Sequence, residues 1–318
     1  MTSMGDVLVG LAAGDVLGSA AGPDAAPGWS DDTQQALVLA EHLLRHGRVV
    51  PDRFARDLLE FAGPDGPPGR YRDIGSGFAA FLDHLSEGAD PAAAAQPSAG
   101  NGAAMRIAPV AIRFRDDFEG VIDQAIDASL VTHAHPVGVA AAVAVAVALW
   151  AAARGQRGPD LVHSAADAAA IAEHRLFSER YERLAPGDDW HTMSEALRAA
   201  VGLVGGVPAE IAESVGSRAA ETSRHRQASG TDPYAPASVV TALTVAAGSE
   251  PPWVAVETLV DLGGDRDTMA AIAGAVAVAS GGRPPAGIVP HAGVLRELGE
   301  RLAQGGDGEG LPPVVTFA

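Results

Sequence analysis

Between Val137 and Ala153 the chain reads VGVAAAVAVAVALWAAA, with no charged side chain until Arg154. A helix built from that run has no polar face, so it must be surrounded on every side. It approaches the length of a membrane span, but its alanine content makes it weakly hydrophobic, and it reads as the core helix of a soluble protein. The shell around it has to come from the same chain. Of the 318 residues 47% are hydrophobic but only 5% aromatic, so the core must be built from Ala, Val, Leu and Ile. Side chains this small let helices approach closely and argue against a β-sandwich.

Apolar residues recur with helical spacing along most of the sequence. The pattern predicts helices at Asp6–Ser19, Thr33–His46, Arg53–Phe61, Gly77–His84, Ala104–Arg113, Gly120–Leu130 and Val137–Ala153. It continues at Asp160–Glu173, Thr192–Val204, Ala209–Ser223, Ala237–Ala247, Trp253–Val260, Thr268–Ala279 and Ala292–Leu302. No pair of segments shows sustained alternation joined by hairpin chemistry, so strands are not expected. The Gly/Pro-rich connections Ala21–Trp29, Gly63–Tyr71, Gln96–Gly102 and Arg224–Tyr234 are loops rather than interdomain linkers, and no fixed-period repeat is present. The expectation is one compact all-α domain over residues 1–318, with 305–318 a Gly-rich mobile tail.

Composition removes several chemistries. The chain has no Cys, which excludes disulfides, thiolate metal sites and cysteine nucleophiles. It has no Lys either, which excludes Schiff-base chemistry and a phosphate-loop lysine. A formal net charge of −18 opposes general nucleic-acid or membrane-surface binding, though not a local phosphate site served by metal ions. The opening MTSMGDVLVG lacks a basic signal-peptide start, and a cytoplasmic location is expected. The oligomeric state is not readable.

Four short elements carry candidate chemistry. Trp29-Ser30-Asp31-Asp32-Thr33 opens an apolar helix, and Gly263-Gly264-Asp265-Arg266-Asp267-Thr268 opens another near the far end. Capping alone accounts for either one, with Ser30 as N-cap and acids at the positive helix end. Two such clusters, each opening a deeply buried helix, change the balance. Four carboxylates in one core repel each other unless cations sit among them. All-oxygen ligands suit Mg²⁺ or Mn²⁺, and two clusters suit two ions better than one. The third element, Ser98-Ala99-Gly100-Asn101-Gly102 running into Met105-Arg106, is either a plain turn or a cradle whose bare amides hold phosphate oxygens. The fourth is Thr132-His133-Ala134-His135-Pro136, where His135 fits a capping role and His133 is the better functional candidate.

In this order, together with Gly14-Asp15-Val16-Leu17-Gly18 and Gly75-Ser76-Gly77, these elements resemble the ADP-ribosylglycohydrolase family. The resemblance implies an all-α fold around two Mg²⁺ ions (Mn²⁺ in some members), with Ser30, Asp31, Asp32, Asp265, Asp267 and Thr268 as ligands. It implies hydrolysis of the C1″ bond between ADP-ribose and an acceptor on an ADP-ribosylated protein or small compound. Asp31 and Asp32 would orient or deprotonate the water, Ser98 and Gly100-Asn101-Gly102 would hold the diphosphate, and His133 would lie along the ADP part. Three departures stand out. Gly22 occupies a position where members commonly carry Glu; Pro23–Trp29 is a short segment where many have a longer one; and Arg266 stands between two acids where Thr is frequent. A slow, arginine-type hydrolase follows, or alternatively a non-catalytic ADP-ribose-binding protein that keeps the fold and ions. A purely structural α-protein would require both acid clusters to be coincidental caps.

Overall fold

The apolar run forms the helix the sequence demands. In the computed structural model, which describes residues 4–21, 28–64, 68–179, 184, 192–222 and 228–318, it spans Pro136–Ala153 and has almost every side chain buried within the protein. Fifteen α-helices occur among the described residues. They are α1 Asp6–Ala20, α2 Asp31–His46, α3 Pro51–Ala62, α4 Ser76–Ser86, α5 Pro91–Ala94, α6 Ala108–Arg113, α7 Phe118–Leu130 and α8 Pro136–Ala153. Then follow α9 Gly158–Glu179, α10 Thr192–Ala200, α11 Pro208–Thr222, α12 Ala235–Gly248, α13 Val254–Leu262, α14 Arg266–Ala279 and α15 Ala292–Gln304. No strand is present among the described residues; two isolated bridges, Gln96 with His133 and Gly100 with Tyr234, are the only β pairings there.

Helix α8 is enclosed by α7, α9, α12, α14, α6 and α10. Beside it, α1 and α14 run antiparallel along a seam with no room for side chains. A Cβ on Gly10 would meet the Gly274 carbonyl at 2.5 Å, one on Gly14 the Ala270 carbonyl oxygen at 1.9 Å, and one on Gly18 the Asp267 Cα at 2.4 Å. Three glycines at four-residue spacing therefore let two backbones touch. This seam gives the Gly14–Gly18 motif its structural reason. It also fixes how far the N-terminus of α14 reaches toward the start of α2.

Two sequence expectations need correction. The stretch from Ala104 to Ile107 is turn rather than helix, because Asn101 anchors it: its carbonyl accepts from the amides of Ala104 and Met105, and α6 begins only at Ala108, with Pro109 in its first turn. Helix α5 was not expected, and four residues are too short to show a period; Asp90 caps it and Pro91 opens it. Residues 305–318 place Val314 in the core and Phe317 against His291. Gly22, Pro23 to Pro27, Ser223 and Arg224 lie outside the described residues.

Candidate functional site

The four sequence elements converge on one cavity of about 310 Å³. Asp31, Asp32, Ser98, Gly100, Asn101, Gly102, His133, Asp265, Asp267 and Thr268 all line it, as do Gln35, Asp73, the Gly75–Phe78 segment, Met105 and Arg106.

Asp15 places the first acid pair. It is fully buried, and its carboxylate accepts from the Ser30 amide (2.9 Å), the Thr33 amide (3.0 Å) and the Thr33 hydroxyl (2.6 Å). One residue beyond Gly14 of the seam, it pins the N-terminus of α2. Ser30 is the N-cap, as its sequence position predicts: its hydroxyl accepts from the Asp32 amide at 3.3 Å and donates to Asp32 Oδ2 at 3.1 Å. Ser30 is completely buried and does not itself line the cavity.

The second acid pair is not explained by capping. Asp265 precedes α14, but its side chain makes no capping bond; it accepts from Asn101 Nδ2 at 2.5 Å. Gly263 and Gly264, with φ of 78° and 69°, supply the left-handed turn that brings it there, and its amide is held by the Thr231 carbonyl. Arg266 points elsewhere and donates to the Ala21 carbonyl at 2.7 Å, closing the end of α1.

These carboxylates are short of partners. Burial, reinforced by the charges of Asp15 and Asp267, pushes Asp31 well above the usual carboxylate range. Burial and then Asp267, Asp15 and Asp31 do the same to Asp32. Asp265 is raised to about 7 by burial first and by Asp267 second. Asp32 is 1% exposed, and its Oδ1 has no hydrogen-bond partner. A buried carboxylate oxygen left without a donor, amid repelling neighbours, is what cation ligands look like before the cation is counted. The residues present therefore fit hard divalent ions.

The loop expected to hold a diphosphate is stapled from both sides. The amide of Asn101 donates to the Pro233 carbonyl and that of Ala235 to Ala99, while Gln96 exchanges backbone bonds with Thr132 and Ala134. Ser98 Oγ accepts from the Gly100 amide at 3.1 Å, and Asn101 spends its side chain on Ser238 and Asp265. His133 faces Gly102: a Cβ there would lie 3.4 Å from the imidazole Cε1. Its pKa falls to about 3, chiefly through burial and then through Arg106, so the ring is neutral. His135 caps α8 by accepting from the Val137 amide.

Sequence reasoning left out Asp15, Gln35, Asp73 and Arg106 as site residues. Asp15 and Arg106 are each a lone charge in an apolar stretch, a signal that was available. Asp73, exposed on the cavity wall with φ of 58°, had none.

A second group at the other end of α2 brings a ligand atom each from His42, His46 and Asp57 within 4.8 Å of one another. Both ring nitrogens of His42 are committed, however. Nδ1 pairs with Asp57 at 2.6 Å, and Nε2 accepts from the Val50 amide at 3.0 Å. Neither nitrogen has a lone pair to offer a metal.

A family model described as ADP-ribosylglycohydrolase matches residues 4–309. An uncharacterized Escherichia coli protein, YegU, is 28% identical over 251 residues, covering 78% of this chain and 70% of its own. ADP-ribosylarginine hydrolase Tri1 of Serratia proteamaculans is 32% identical over 155 residues, 42% of each chain. A solved structure described as an ADP-ribosylglycohydrolase-related protein complex covers 95% of this chain and 96% of that one, with a TM-score of 0.65 at 24% identity.

Proposed function

This chain belongs to the ADP-ribosylglycohydrolase family, and from that premise we propose that it hydrolyses the C1″ bond joining ADP-ribose to an acceptor, with arginine-linked ADP-ribose favoured. The observation that carries the reading is the meeting of the α2 and α14 N-termini around the unpartnered Oδ1 of Asp32. Five carboxylates (Asp15, Asp31, Asp32, Asp265 and Asp267) gather there against a single buried guanidinium, Arg106. This excess of buried carboxylates over cations favours divalent ions as the missing positive charge.

Asp31, Asp32, Asp265, Asp267 and Thr268 would hold two Mg²⁺ or Mn²⁺ ions, with Ser30 supporting Asp32 from behind. When bound, such ions supply positive charge for the ribose hydroxyls and the developing charge on the sugar. The rest of the chemistry belongs to the chain. A carboxylate of the Asp31–Asp32 pair orients a water molecule and takes its proton as the water oxygen bonds to C1″. The C1″–N bond breaks, and its electron pair stays with the guanidine nitrogen, which receives the proton. Gly102, Ser98 and His133 border the diphosphate and ADP portion.

Two points favour an arginine acceptor. A guanidine leaves without the acid assistance a serine oxygen requires, and Asp73 offers an exposed carboxylate on the cavity wall for its positive charge. The relative named as an ADP-ribosylarginine hydrolase points the same way. A binding protein without turnover is the second reading, motivated by Gly22 in place of Glu. Mass spectrometry of ADP-ribosyl-arginine and ADP-ribosyl-serine peptides, incubated with protein and Mg²⁺ or with chelator, separates the readings. Metal-dependent release from the arginine peptide is the expected result. Equal or faster release from serine overturns the acceptor preference, and ADP-ribose binding without any release establishes the second reading.

A further inference from the structure

Arg106 is the buried cation of the cavity, 1% exposed and without a carboxylate in ion-pair contact among the described residues. A guanidinium can only donate, and its two terminal nitrogens donate in different directions. Nη1 gives a hydrogen bond to Gln35 Oε1 at 2.5 Å. Nη2 gives one to Thr132 Oγ1 at 2.6 Å and a longer one to the Ala128 carbonyl.

Each bond fixes the polarity of what lies beyond it. Because Gln35 must present its oxygen to Arg106, its NH₂ faces the other way and donates to Asp31 Oδ2 at 2.6 Å. The flipped amide would set NH₂ against guanidinium and oxygen against carboxylate, two repulsions in place of two bonds. On the other side, Thr132 Oγ1 accepts from Arg106 and lies 2.8 Å from His133 Nδ1. No other acceptor for that hydroxyl hydrogen is present among the described residues, and Thr132 is buried. Giving the hydrogen to Nδ1 satisfies both groups; a proton on Nδ1 instead would leave the O–H, at the cavity wall, without any acceptor among the described residues. Nδ1 is therefore the acceptor, and the ring proton sits on Nε2, beside Gly102 and the cavity.

We propose that Arg106 is a positioning residue that sets two donor chains, Arg106–Gln35–Asp31 and Arg106–Thr132–His133, so that Asp31 is held by one oxygen and His133 presents a neutral Nε2–H donor to the ligand beside Gly102. The proposal rests on the cavity being the ADP-ribosyl site, but its structural content is measurable without turnover. An Nε2–H donor calls for an oxygen acceptor on the ligand, such as a diphosphate oxygen.

The test is a long-range ¹H–¹⁵N correlation spectrum of the full chain labelled at histidine, with the His133 signals assigned by their loss in His133→Gln. The parent is expected to show the proton on Nε2 and a bare Nδ1; a proton on Nδ1 overturns the proposal. Thr132→Val keeps the shape but removes the hydroxyl, so both tautomers should appear and ADP-ribose affinity in calorimetry should fall. An unchanged tautomer in Thr132→Val also overturns it. Arg106→Gln should mix the tautomers, and Gln35→Leu, which leaves the charge of the site unchanged, should weaken Mg²⁺ binding by about tenfold or more, in the range typical for groups that orient a metal ligand. Unaltered Mg²⁺ affinity in a folded Gln35→Leu would overturn the Asp31 arm. Should Arg106→Gln not fold, the parent and Thr132→Val spectra still decide the His133 arm, and Gln35→Leu decides the other. A parent that shows the Nε2 tautomer but binds no ADP-ribose would break the functional reading and leave the positioning intact.

Discussion

Helix α2 carries titratable clusters at both ends, and the two behave oppositely. At its N-terminus, Asp31 and Asp32 crowd with Asp265 and Asp267, and one buried oxygen has no donor. At its C-terminus, His42 is equally buried, but each ring nitrogen has a partner, and Arg45 joins His42 on Asp57. Proximity of ligand-type side chains is common to both ends. What separates a binding site from a structural knot is whether the polar atoms are already satisfied. The satisfied end holds α2 to α3, while the unsatisfied end needs something the chain does not provide.

The strongest way to break this contrast is at the unsatisfied end. Asp32→Asn should reduce ADP-ribose release by ~10²–10⁴-fold, the usual worth of an acid–base group, and Asp265→Asn should reduce it through loss of the ions it would hold. Either change should also remove most of the stabilisation by divalent ions, which for an ion at a hundred times its Kd is ~2.7 kcal/mol. Melting curves of parent and variant with and without Mg²⁺ measure this, and a variant that keeps the full rise would refute the ion site.

The pH dependence sharpens the same point. In chelator, Asp31, Asp32 and Asp265 have folded pKa values above the unfolded value of 3.8, Asp265 at about 7. The folded state then binds more protons than the unfolded one across that interval. Its contribution is complete below pH 3.8 and is lost as pH rises through about 7. Metal-free protein should accordingly lose on the order of 3 kcal/mol between pH 5 and pH 8, read by urea unfolding. Saturating Mg²⁺ should flatten the profile, because ions replace the protons. A metal-free profile that rises with pH would show the cluster is not short of positive charge.

His42→Ala probes the satisfied end. It leaves the Val50 amide and Asp57 without their partner and should cost about 1–3 kcal/mol, with the Mg²⁺-induced rise in melting temperature preserved. Loss of that ion response would erase the distinction between the two ends. The smallest effect is expected at Gly102→Val. The first added carbon lies in ordinary contact with His133, and only the branches push the ring. ADP-ribose should bind about tenfold more weakly, ~1.4 kcal/mol, at unchanged Mg²⁺ affinity; equal calorimetric affinity would sink the role of the Gly loop.

Most helices were legible because each buries one apolar stripe, and the period survives without knowledge of the partner. Helix α5 escaped for want of length, and the start of α6 was misplaced because Asn101 stops the chain from coiling at Ala104. In the site, the acids, the Gly loop and His133 were legible as local motifs. Gln35 was not, and Arg106 showed only as a lone charge in an apolar stretch, because their roles exist only in partners such as Thr132 and Asp31 brought together by the fold. The seam shows the same limit: Gly10, Gly14 and Gly18 are visible in sequence, but the backbone that needs their bareness is not.

That seam has a consequence for how the protein is made. Arg266 closes the end of α1 across 245 residues of sequence. At a synthesis rate of ~5–20 residues per second, α1 and α2 wait roughly 12–50 s on the ribosome before α14 is translated. Throughout that interval the bare backbone face of α1 lacks α14 to cover it, and Asp31 and Asp32 lack the facing pair Asp265 and Asp267. On the proposed two-ion site, a chain stalled before Gly263 would coil its early helices with only one of the two acid pairs that hold the ions. Ion retention would thus mark translation that has passed α14.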